Sequence, residues 1–245
     1  MVGYTESLTD PSYRGQILCM TYPLIGNYGV SSMGILDDYG LPKYFESKEI
    51  QVRGLIVHEL SKISSHWSCI KTLDQWLYEE NIPGIYKVDT REIAKKIRVK
   101  GVMDGALSVS KGPINESKLF GLMKKQSYDV QNFMPEVSIP RAKEYPVKNS
   151  KGSIVVIDTG TKFSIIRNVL RTGYSAVVVP WDTSFEEIKA YNPKGVVISN
   201  GPGDPKVCQT TIKTAASLLV ASMPTLGICL GNQILALAAG ADTYK

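Results

Sequence analysis

The second half of the chain alternates short apolar runs with segments of helical period. "SIVVID" (153–158), "YSAVVVPW" (174–181) and "GVVIS" (195–199) are apolar at nearly every position, the pattern of strands buried on both faces. Between them, "TKFSIIRNVLRTG" (161–173) sets Phe163, Ile166, Val169 and Leu170 at helical spacing, with Gly173 as its stop. "TSFEEIKAYN" (183–192) opens with a Ser/Thr cap and early glutamates and predicts a short helix. The loop "NGPGDP" (200–205) follows, then an apolar helix near 208–221 and a strand leading into Cys229. Strands alternating with helices predict a parallel sheet with helices on its faces.

The first half has a different texture. "QILCMTYP" (16–23), "VRGLIVHE" (52–59) and "GALSVS" (105–110) are strand-like. "CIKTLDQWLYEEN" (69–81) places Ile70, Leu73, Trp76 and Leu77 on one helical face before Pro83-Gly84. "DTREIAKKIRVKG" (89–101) has Asp89 as a cap, Glu92 three residues on, and Gly101 as its end. These elements predict a separate α+β domain over 1–133. Residues 134–152 hold three prolines and no helical period, as a linker would, and 153–245 form the α/β domain.

Composition narrows the class. With 43% hydrophobic and 21% charged residues the chain reads as soluble and globular. No apolar run reaches the roughly 20 residues needed to cross a bilayer, and the start lacks a signal-peptide pattern, so the expectation is a cytoplasmic protein without membrane contact. The net charge of +5 is spread along the chain, which argues against a nucleic-acid partner. One basic cluster, Lys87, Arg91, Lys95, Lys96, Arg98 and Lys100, reads as a solvated helix face or as a docking surface for an acidic partner. Cys19, Cys69, Cys208 and Cys229 form no C-x-x-C pair, so neither a zinc site nor a redox dithiol is expected.

Gly227-Ile228-Cys229-Leu230-Gly231 is G-x-C-x-G, the thiol counterpart of a nucleophile elbow. The glycines suit a tight turn in which neighbouring side chains would collide, and the helix that follows offers unpaired N–H groups that favour a thiolate. The other three cysteines lack that context and read as small buried hydrophobes. Ser199-Asn200-Gly201-Pro202-Gly203-Asp204-Pro205 sits at the carboxyl end of the preceding strand, where ligands bind in open parallel sheets. Alone it is a tight turn; beside Cys229 it can present N–H groups to an oxyanion.

"SNGPGDP" followed by "PTLGICLGNQ" resembles the class I glutamine amidotransferases, whose cysteine attacks a side-chain amide, forms a glutamyl thioester and releases ammonia. "GYTESLTDPSYRGQILCMTYPLIGNYGV", "SHWSCIKTLDQWLYEENIPGIYKVDTREIAKKI" and "MPEVSIP" resemble the glutaminase subunit or domain of carbamoyl phosphate synthetase, most of all the form fused into the eukaryotic pyrimidine-pathway polyprotein. The resemblance runs along essentially the whole chain. It implies Cys229 as nucleophile, Gly203 and Leu230 as oxyanion N–H donors, and Ser12, Gly201 and Gln233 as ligands of L-glutamine. It also implies a synthetase large subunit or fused domain as partner. ATP and magnesium belong on that partner, in keeping with the absence here of a P-loop or dinucleotide fingerprint. Asn232 stands where the family often has histidine, a departure away from the general base.

In that family the base is a histidine, oriented by a glutamate, in an H-P-E motif downstream of the cysteine. No histidine follows Cys229 here, and His58 and His66 lie in the first domain, so the sequence reads as clipped at both ends. Two other functions compete with a glutaminase component. A catalytically silent docking or regulatory module would fit the missing histidine, and a cysteine hydrolase unrelated to glutamine would share the elbow but leave the first domain unexplained.

Overall fold

A computed structural model of the chain describes residues 2–125 and 128–244. The chain divides into two units, one of residues 1–36 and 42–128, the other of residues 37–41 and 129–245.

The first unit contains α1 (Tyr4–Leu8), a 3-10 turn (Pro11–Tyr13), β1 (Ile17–Ile25), β2 (Val30–Ser31), β3 (Gly54–Leu60), β4 (Cys69–Lys71), α2 (Leu73–Glu79), β5 (Gly84–Ile85), α3 (Thr90–Lys100) and α4 (Glu116–Lys125). It mixes helices and strands as expected, with β1, β3 and β5 forming a parallel sheet in the order β1-β3-β5 and β2 pairing antiparallel with β4. Its core gathers Tyr4, Leu8, Ile25, Leu55, Phe45 and Trp76, the last two aromatics meeting edge to face at 5.8 Å.

Three local expectations meet different outcomes here. Asp89 caps α3 by accepting the Glu92 N–H at 3.0 Å, and Gly101 ends it at φ 78°, as the sequence implies. Ile70, expected on the α2 face, lies instead in β4 and is 61% exposed. The reason is the Thr72 hydroxyl, which accepts the Gln75 N–H and so starts the helix at Leu73. "GALSVS" forms no strand: its alternation finds no ladder to join, and only Leu107 and Ser108 are partly buried.

The second unit contains α5 (Met134–Val137), β6 (Lys143–Tyr145), β7 (Ser153–Asp158), α6 (Phe163–Arg171), β8 (Ser175–Pro180), α7 (Phe185–Ala190), β9 (Gly195–Ile198), α8 (Gln209–Val220), β10 (Thr225–Gly227) and α9 (Leu230–Ala238). The sheet order is β10-β9-β7-β8-β6, parallel except for β6. Its continuous apolar runs follow from the two-residue side-chain period. Val155, Ile157, Val177, Val179 and Ile198 face Ile188, Leu218 and Ile234 of α7, α8 and α9, while Val156, Ala176, Val178 and Val197 face Ile165, Ile166 and Leu170 of α6. Ser184 and Glu187 form the expected capping box of α7.

Residues 134–152, expected as a linker, hold a helix and an edge strand of this unit. Pro135 lies in the first turn of α5, where a missing N–H costs nothing, and Pro140 and Pro146 flank β6 at the sheet edge, where proline is tolerated. Residues 37–41 also join this unit. The Asp37 carboxylate accepts the N–H groups of Tyr39 and Leu41, pairs with Arg167, and so sets Leu41 into the α6 face of the core.

Candidate active site

The turn at Cys229 is built by crowding. β10 runs parallel to β9, and the Ile228 N–H extends that ladder to the Ile198 carbonyl at 2.9 Å. The chain then turns at Cys229, φ 52° and ψ −109°, a region that residues other than glycine seldom adopt. A Cβ at Gly227 would lie 2.5 Å from the Asn232 nitrogen and the Gly231 carbonyl, and one at Gly231 would lie 2.1 Å from the Ile198 carbonyl oxygen. Both obstacles are backbone, so neither glycine of the G-x-C-x-G motif can be exchanged without moving the helix away from the sheet. Buried Leu230 and Ile234 anchor α9 from below, leaving the Cys229 thiol exposed at its N-cap.

The first N–H groups of α9 surround the turn. The N–H groups of Asn232 and Gln233 are turned onto the Cys229 carbonyl, at 3.0 and 3.2 Å, while the Leu230 N–H, first in the helix, has no backbone acceptor among the described residues. Cys208, by comparison of exposure, is fully buried; burial pushes its thiol up to about 11 and pushes that of Cys19 up as well.

The 199–205 loop lies directly against the elbow. The Gly231 N–H donates to the Ser199 carbonyl at 3.0 Å, and a Cβ at Gly201 would stand 1.9 Å from the Thr159 carbonyl oxygen and 2.7 Å from Leu230 Cδ2. Gly203 has φ 86°, and Asp204 caps the next turn by accepting the Lys206 N–H at 2.8 Å. Within the second unit Gly201 thus lies against Leu230, the residue after Cys229, while Gly203 sits two positions along the loop against Phe133, and Gln233 is exposed one helical turn along α9. Ser12 belongs to the first unit, in the Pro11–Tyr13 turn, where its own N–H donates to Asp10 at 2.9 Å.

Sequence reasoning missed the buried polar residues Asp158 and Thr159 beneath the loop and read Ser199 only as the loop's start; Asp158 is 3% exposed and the other two are fully buried. A signal was available in Asp158-Thr159-Gly160-Thr161, a polar run immediately after a buried strand and at the same sheet end as the glycine loop.

Residues 155–245 match the family described as glutamine amidotransferase class-I, and residues 1–107 match that of the carbamoyl-phosphate synthase small chain, CPSase domain. The whole chain is 45% identical over 246 residues to the carbamoyl phosphate synthase small chain of Pyrococcus furiosus, of which it covers 65%. The chain is similar along its whole length to carbamoyl phosphate synthase small chains. Similar identity, 45% over 251 residues, relates the chain to the multifunctional protein CAD of Squalus acanthias, of which it covers 10%, and 44% relates it to multifunctional protein ura1 of Schizosaccharomyces pombe, of which it covers 12%. Identity thus does not separate the small chains from the multifunctional proteins. The chain spans about 65% of the length of the carbamoyl phosphate synthase small chains it matches. A solved structure of a GMP synthase component from Thermoplasma acidophilum matches 37% of this chain and 46% of its own, at 26% identity and TM-score 0.33, too low a score to inform the fold.

Proposed function

We propose that this chain is the glutamine-hydrolysing component of a carbamoyl phosphate synthetase. The observation that carries the reading is the strained, exposed Cys229 at the N-cap of α9 with the Gly201–Gly203 loop packed beside it. The Cys229 thiolate attacks the side-chain amide carbon of L-glutamine, and the amide oxygen takes the negative charge as the tetrahedral centre forms. The N–H groups of Leu230 and Gly203 are the proposed donors to that oxygen, and Ser12, Gly201 and Gln233 the proposed ligands of glutamine. The C–N bond then breaks, ammonia leaves, and water cleaves the γ-glutamyl thioester to give glutamate and free Cys229. Residues 129–245 contain no histidine, so the proton transfers are assigned to no residue of this unit.

The ammonia serves a synthetase large subunit or fused domain, on which ATP and magnesium act. The similarity to stand-alone small chains and to CAD and ura1 supports such a partner in either arrangement. A cytoplasmic setting accords with free cysteines and with the finding that no helix among the described residues is long and apolar enough to cross a membrane.

The test is glutamate release from L-glutamine, measured with the synthetase partner present, for the parent and for Cys229→Ala. Loss of at least about 10³-fold in the variant is expected. Turnover that survives the substitution overturns the reading.

A further inference from the structure

The carboxyl end of β7 carries a buried polar knot that the steps above do not use. Asp158 Oδ1 accepts the N–H groups of Gly160 and Thr161 at 3.0 and 2.7 Å, and Oδ2 accepts that of Ile139 at 2.8 Å. Burial pushes this carboxyl up from the ordinary aspartate range, while the three N–H groups favour its charged form. A carboxylate in such a place is costly, and it holds two separate pieces of backbone at once.

Both pieces prop the glycine loop. The 159–161 turn is locked to the end of β9: the Thr159 N–H donates to Ser199 Oγ at 3.1 Å, and the Thr159 hydroxyl donates to the Ser199 carbonyl at 2.9 Å. The Thr159 carbonyl then backs onto Gly201 so closely that only glycine fits. The second piece, ending at Ile139, begins with buried Phe133 and α5; the Phe133 ring would lie 3.4 Å from a Cβ at Gly203. Asp158 thus ties together the supports of both glycines, and the Ser199 carbonyl passes the same register to the elbow through the Gly231 N–H.

We propose that Asp158 is a positioning residue for acyl transfer at Cys229, setting through Thr159 and Phe133 the height at which the Gly201–Gly203 loop meets the oxyanion. This rests on the function proposed above. It makes no contact with glutamine and acts only through the loop.

Asp158→Asn tests it, because the amide keeps the shape but turns an NH₂ toward a backbone N–H. Thr159→Val removes the hydroxyl without changing volume, and Thr159→Ser restores it. For Asp158→Asn and Thr159→Val, kcat for glutamine hydrolysis should fall about 10- to 100-fold with KM changed less than about threefold. Alkylation of Cys229 by iodoacetamide, which builds no oxyanion, should stay within about twofold of the parent, and Thr159→Ser should recover most of the turnover. An unchanged kcat in both variants, or alkylation that falls in step with turnover, overturns the positioning role. Survival of turnover in Cys229→Ala would instead overturn the function itself, so the two readings fail in different measurements.

Discussion

The Gly231 N–H reaches the Ser199 carbonyl at 3.0 Å, and this bond joins the helix that follows Cys229 to the strand that leads into the glycine loop. The approach is close enough that a methyl group at Gly231 would overlap the backbone of Ile198, at 2.1 Å from its oxygen and 2.6 Å from its carbon.

Gly231→Ala is therefore expected to push α9 off the sheet. The cost should be about 3 kcal/mol, at the upper end for inserting one methyl into a packed interior, read by urea denaturation. Stability equal to the parent would show that the elbow helix can slide without penalty.

Strain at Cys229 gives a second expectation. Cys229 holds φ 52° and ψ −109°, which costs a residue with a Cβ about 1–3 kcal/mol. Both Cys229→Gly and Cys229→Ala remove the thiol, but only glycine relieves the backbone, against about 0.5–1 kcal/mol of extra chain entropy. The glycine variant should be the more stable of the two by about 1 kcal/mol. A less stable glycine variant would remove the argument that the turn stores strain.

The strands, caps and elbow of the second unit were legible because each is written locally. Ser184 and Glu187 lie three residues apart, a β-strand declares itself over five or six apolar residues, and G-x-C-x-G is five residues long. The misses depend on partners far along the chain. Asp37 draws its residues into the second unit only because Arg167 lies there, 130 positions away. "GALSVS" alternates like a strand yet pairs with none, and β6 hides among prolines because its pairing is with β8. Of the candidate site, the turn at Cys229 and its glycines, whose need is steric, were legible. Asp158 and Thr159 were not, since a support announces itself only through the geometry it holds.

The Asp37–Arg167 pair leads to a pH dependence. Burial would raise the Asp37 carboxyl, but the Arg167 guanidinium and the N–H groups of Leu41 and Tyr39 outweigh it and hold the group below the ordinary aspartate range. With the folded value depressed, its contribution is present above the unfolded value of about 3.9 and is lost as pH falls through the folded one. Asp37→Asn should cost about 1–3 kcal/mol at neutral pH, by leaving a largely buried Arg167 without its charge partner, and should flatten the acid limb of the stability curve below about pH 4. An unchanged acid limb would contradict the assignment.

His58 and His66 are engaged within the first unit, His58 Nδ1 with the Val88 carbonyl at 3.2 Å and His66 Nδ1 with the Ser68 hydroxyl at 2.8 Å. His58→Gln and His66→Asn should each leave the glutamine kcat within about threefold of the parent. A fall of about 10²-fold or more, the usual scale for losing a general base, would assign that histidine to the chemistry.

Competition between the four cysteines for a glutamine-like chloromethyl ketone tests the central claim most directly. Peptide mass mapping should place the label on Cys229, with a rate that saturates in reagent and is suppressed by L-glutamine. Cys208, fully buried and with its thiol pushed up to about 11, should stay unlabelled, and Cys19 and Cys69 should react slowly and without protection. Label distributed among the accessible cysteines, or labelling of Cys229 that neither saturates nor responds to glutamine, would contradict the account of Cys229 as a glutamine-directed nucleophile.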